Sequence, residues 1–140
     1  MNSTIMHTNK IGYYETKHSK YLIDIYDLYS LLEDYYKNLS LKHKDEHIGK
    51  FLSSKFKGII FVKYKVIIKE ALTNIRKLYR LKVFEKTKDE KFNRIILTII
   101  KEHIEYFERI KRMLHDIVFK KDVTSLKKEM NIFDKYRKYT

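Results

Sequence analysis

The sequence predicts an all-α fold, an antiparallel bundle of about four helices with an N-terminal arm. Three observations predict it. The 140 residues hold no proline and three glycines, Gly12, Gly49 and Gly58, so the chain lacks the residues from which tight turns are made. Apolar side chains recur at threes and fours over long stretches. At 44% apolar and 35% charged, the composition is that of a globular chain with enough residues for one buried core. Residues 19–140 are expected to form a single helical-bundle domain. Residues 1–18 are polar and mixed, and are expected to form a flexible or irregular arm. Gly12, Tyr13 and Tyr14 in that arm are placed to fold back on the body or to stack on a partner.

The first helix is expected over residues 20–39, where Leu22, Ile25, Tyr26, Tyr29, Leu32 and Tyr36 make one apolar stripe. Residues 40–49 read as a solvated connector. Gly49 and Gly58 bracket a short piece that reads as its own helical turn. The second helix is expected over residues 59–84. On a helical wheel Ile60, Tyr64, Ile67, Ala71, Ile75 and Leu78 fall on one side. Residues 59–68 are also rich in β-branched residues, which suit a strand; length and the lack of turn signals favour helix. The third helix, over residues 87–119, opens on Thr87, Lys88, Asp89 and Glu90, which fit a capping box. Its stripe is Phe92, Ile96, Ile99, His103, Tyr106, Ile110, Met113 and Ile117. A last helix, from Thr124 or Ser125 to about Arg137, turns Leu126, Met130 and Phe133 inward.

Charge is unevenly placed. The net charge is +13, and residues 50–84 alone hold ten basic side chains against one acid, Glu70. The first 47 residues hold six lysines against seven acids. On the wheel of the second helix Lys65, Lys69, Arg76 and Arg80 form a row opposite the apolar side, about 22 Å long. A solvated face normally mixes signs, so this one points to a polyanion. Cations that neutralise phosphates add affinity without reading sequence. The residues assigned to nucleic acid are Lys55, Lys57, Lys65, Lys69, Arg76, Lys77, Arg80 and Lys82. Nothing marks base-specific readout, since helix-turn-helix turn chemistry and a zinc framework are both lacking. Tyr136 and Tyr139 in the basic C-terminal tail suit stacking on bases or a lipid interface.

No cofactor, metal site or catalytic residue is expected. The chain has no cysteine, which excludes disulfides and thiolate metal sites. His43 and His47 are four apart, with Asp45 and Glu46 near them, but no third ligand is fixed by the sequence, and a solvent-exposed connector is the favoured reading. His103 reads as a core histidine. Three glycines leave no phosphate loop or nucleophile elbow. No apolar run approaches a spanning helix and the first ten residues carry no apolar signal-peptide core, so a virion or the host cytoplasm is the expected location.

Two resemblances extend these readings. In size, positive charge, lack of cysteine and proline, and long helices at 20–39, 59–84 and 87–119, the chain resembles the major coat proteins of filamentous archaeal viruses of the lipothrixvirus type. That resemblance implies a helical bundle wrapping linear double-stranded DNA in a virion. It also implies self-association, with tyrosine-rich surfaces toward a neighbouring subunit, a second coat protein or lipid. Arg109 and His115, with five residues between them, resemble the Arg-to-His spacing of helical-bundle RNases of the HEPN class, which implies acid–base work for the histidine and phosphate binding for the arginine. A third alternative is a small viral or phage effector whose basic helix docks an acidic protein.

Overall fold

The computed structural model describes residues 2–85 and 89–137, with side chains from residue 10 onward. Every regular element among them is helical: α1 (Asn2–Ser40), α2 (Asp45–Phe56), α3 (Ile59–Phe84), α4 (Glu90–Lys120) and α5 (Thr124–Arg137). They group into two compact units, Met1–Ile25 with Val66–Glu108, and Tyr26–Lys65 with Arg109–Thr140. Helices α1, α3 and α4 contribute to both. No helix among the described residues is long and apolar enough to cross a membrane.

In the first unit the core is Ile11, Ile25, Ile68, Ala71, Leu72, Ile75, Leu78, Ile100 and Phe107. The segment read as an irregular arm is helical here. Its weak periodicity is offset by docking: Ile11 is buried, and the buried Asn74 amide of α3 donates to the Tyr14 carbonyl at 3.0 Å. Tertiary contact of this kind overrides local propensity. Helix α3 is continuous across the β-branched stretch, and Ala71, Ile75 and Leu78 of its expected inner face are buried. The stripe of α4 turns slightly from the expected one. Ile100 and Phe107 are buried, whereas Phe92 and Ile99 are exposed. Thr87 lies outside the described residues. The cap seen among the described residues is made by Asp89, whose carboxylate accepts from the Phe92 N–H at 3.1 Å.

In the second unit α2 begins inside the expected connector. Asp45 and Glu46 favour a helix start there through the helix dipole. Ile48, Leu52 and Phe56, each four apart, are fully buried. The small residues of α2 let it approach the end of α4 closely. Ser53 Oγ donates to the Val118 carbonyl at 2.6 Å, one of the helix-end carbonyls that α4 cannot satisfy itself. A Cβ on Gly49 would stand 2.0 Å from the Lys121 carbonyl oxygen. Lys121 closes α4 in the left-handed region (φ 54°), and Gly58 turns the chain from α2 into α3 with φ 85°. Leu126 and Met130 of α5 are buried as expected.

Helix α5 is fixed by charge as well as packing. Buried Glu33 of α1 accepts from Tyr29 Oη at 2.5 Å and from Arg137 of α5 at 3.4 Å. Buried Glu129 of α5 holds Arg109 of α4 at 2.6 Å. Lys127 of α5 pairs with Asp45 at 2.9 Å, and Asp45 also accepts from Tyr36.

Two glycine substitutions separate close approach from simple helix propensity. Gly49→Ala should cost about 2–3 kcal/mol, because the new methyl meets backbone that cannot yield. Gly12→Ala, in an exposed helical position with nothing within 4 Å of the added atom, should stabilise the fold by about 0.5–1 kcal/mol. Urea unfolding of both variants measures the contrast.

Candidate nucleic-acid interface

Helix α3 is the most cationic element: Lys63, Lys65, Lys69, Arg76, Lys77, Arg80 and Lys82 stand against the single acid Glu70. In the first unit Lys69 and Arg80 are exposed. Neither pairs with an acid among the described residues. Arg76 lies between them on the row but is drawn to Glu108 of α4 at 2.5 Å. Lys77 sits above the Tyr14 ring, 6.0 Å from its centroid. Lys82 is half-buried and paired with Glu85 at 3.3 Å. In the second unit Lys65 lies 5.8 Å from the centroid of the Phe61 ring and Lys55 4.9 Å from that of Tyr35, while Lys57 is exposed at the end of α2. Lysines can lie along rings in this way while their ammonium groups remain in water.

The first unit also holds a groove of about 550 Å³ between α1 and α3. Helix α1 gives it Tyr14, Lys17 and Tyr21, spaced three and four apart and therefore on one face. Helix α3 gives it Lys69, Glu70, Thr73, Asn74 and Lys77. Tyr21 Oη donates to the Glu70 carboxylate at 3.3 Å. Burial, and then that carboxylate, hold the Tyr21 phenol above its ordinary range. Contact with the Tyr13 hydroxyl holds the Lys17 ammonium above its own. Asn74 donates an amide N–H to the Tyr14 carbonyl, and its Oδ1 is buried with no hydrogen-bond partner among the described residues. Lys69 and Lys77 were legible as site residues. Lys17, Tyr21, Thr73 and Asn74 were not: Lys17 lies in the supposed arm, and Tyr21, Thr73 and Asn74, though on expected helices, line a groove only once the helical arm packs beside α3.

A smaller cavity in the same unit, about 200 Å³, is lined by His18, Leu78, Lys82, Ile100 and His103 among others. The two imidazoles share a hydrogen bond of 2.8 Å between His18 Nε2 and His103 Nδ1, and their rings stack at 5.0 Å. Burial, with His103 beside it, pushes His18 down to about 4, and burial also lowers His103. This is a neutral pair in a partly apolar setting.

The remaining candidates lie in the second unit. The guanidinium of Arg109 is engaged by Glu129, while His115 is exposed and rests against Phe119, 4.9 Å between ring centroids. Six residues apart on α4, Arg109 and His115 point about 120° from one another. His43 and His47 are exposed, with ring centroids 6.3 Å apart. No group of three metal-ligating side chains occurs among the described residues. Tyr136 is exposed, and Tyr139 lies outside the described residues.

No protein-family model, curated protein or solved structure matches the chain.

The histidine pair makes stability depend on pH. Above pH 6.5 His18 is neutral whether the chain is folded or not. Below it the unfolded chain takes up a proton that the folded chain refuses until about pH 4, so stability falls across that window and the effect levels off beneath it. Allowing for partial exposure, the loss attributable to His18 is about 2 kcal/mol. Urea unfolding from pH 7.5 to pH 4 should show a fall smaller by about that amount in His18→Gln.

Proposed function

We propose that this protein binds nucleic acid without reading its sequence, through the cationic face of α3, in a structural rather than a catalytic role. The observation that carries the reading is seven cations on α3 against one acid, with Lys69 and Arg80 exposed. Side chains so placed repel one another in the free protein, and phosphates that displace counterions from around them relieve that repulsion. The exposed Lys65, Lys55 and Lys57 supply further positive charge in the second unit. The resemblance to lipothrixvirus-type coat proteins takes the reading further, to copies of the chain assembled on linear double-stranded DNA in a virion. Exposed apolar residues such as Ile59 and Phe84 would there meet another subunit or lipid.

A gel shift or anisotropy titration on unrelated duplexes of equal length tests the reading. The parent should bind them alike, and binding should weaken steeply from 50 to 200 mM salt. Replacing Lys69 and Arg80 together by glutamine should lower affinity roughly ten-fold and flatten the slope of log affinity against log salt by about 2. Lack of binding at 50 mM salt overturns it, as does a partner retained in a pull-down after nuclease treatment in place of nucleic acid.

A further inference from the structure

The groove between α1 and α3 in the first unit differs in kind from a plain phosphate-binding face. Its volume, about 550 Å³, is that of a small-molecule site. Lys17, Lys69 and Lys77 supply positive charge, Tyr14 and Tyr21 flat aromatic carbon, and Glu70 and Asn74 hydrogen-bond acceptors. The last two are unexpected beside an anion. The side-chain oxygen of Asn74, a groove-lining residue, is buried and has no hydrogen-bond partner among the described residues, although nearly all buried polar atoms in folded proteins have one. A ligand that satisfies every group must carry an anionic end, a planar ring and N–H or O–H donors.

We infer that this groove binds a nucleoside phosphate, with the phosphate among Lys17, Lys69 and Lys77 and the base against Tyr14 and Tyr21. Its exocyclic amino or hydroxyl donors meet Glu70 and Asn74. A base paired within a duplex cannot enter, so the nucleotide comes from a single strand or is free in solution. Stacking of unpaired bases on aromatic side chains within a basic groove is the usual physics of single-strand binding. The inference deepens the phosphate-binding reading of α3 and rests on it for the roles of Lys69 and Lys77.

Three probes test it: a labelled 12-nucleotide deoxyadenylate strand, the same strand annealed to its complement, and AMP as competitor. The variants are Tyr21→Leu, which loses the flat ring together with the hydroxyl bonded to Glu70, and Lys77→Gln, both checked for parental helix content and melting. Tyr21→Leu should lose roughly ten-fold in affinity for the single strand, in line with removal of one base stack, and change duplex binding less than two-fold. Displacement of the strand by AMP assigns the groove to nucleotides in general; failure of AMP with strand binding still dependent on Tyr21 assigns it to a nucleotide supplied by a strand. Single-strand binding indifferent to Tyr21→Leu, or an equal loss for strand and duplex, overturns the groove. If duplex binding then still depends on Lys69 and Arg80, the broader reading of α3 stands without it. Tyr21-dependent single-strand binding with no duplex binding leaves the groove standing and removes the duplex-binding face.

Discussion

A helix can carry cations along its length only if their mutual repulsion is offset somewhere, and α3 offsets very little of it with acid. Glu108 reaches Arg76 and Glu85 reaches Lys82, both from α4 or the segment before it. Other ammonium groups lean on rings instead, Lys65 on Phe61 and Lys77 on Tyr14. A cation over a ring gains about 0.5–1 kcal/mol at an exposed site and leaves the charge uncancelled. The apolar edge of the same helix, from Ile68 to Leu78, is buried and holds α3 in place regardless. Packing energy therefore maintains a charged surface that electrostatics alone would disperse, and on the function proposed above a polyanion would relieve that repulsion.

The second unit handles charge in the opposite way. Its buried acids, Glu33 and Glu129, are each met by an arginine, and each pair joins a different helix to α5. Removing either arginine would strand a desolvated carboxylate, while the pair itself adds little over apolar packing. Such pairs do more to fix which helix lies where than to raise stability. Here they determine how α5, a helix of 14 residues, seats its short apolar face of Leu126 and Met130. The arginine that resembled a catalytic group, Arg109, is one of these structural partners.

The helical class and the extents of α3 and α5 were legible because periodicity and the lack of turn residues are local signals. The short helical piece between Gly49 and Gly58 was legible, but the start of α2 was hidden: Asp45, Glu46 and His47 look like solvated loop although acidic residues are what a helix start favours. The N-terminal part of α1 was hidden for a different reason. Its helical state depends on Ile11 and on the Asn74 amide, 60 residues distant in sequence from Tyr14. No local pattern encodes that contact. The same long-range dependence hid half of the groove: the cations of α3 could be read from spacing, whereas the face of Tyr14, Lys17 and Tyr21 could not.

Glu70 is the acid that a uniform counterion surface would not contain. One turn from Thr73 and Asn74 and adjacent to Lys69, it would cost the proposed phosphate-binding face some of its attraction. Its position explains its presence better than its charge does. It lines the groove and receives the Tyr21 hydroxyl, a bond that ties α3 to α1 and orients one carboxylate oxygen. Together with the Asn74 oxygen, which has no hydrogen-bond partner among the described residues, it would give the proposed nucleotide groove acceptors that a bare phosphate cannot use; on that inference the cations would attract anions broadly while the acceptors would favour those that also carry a hydrogen-bond donor.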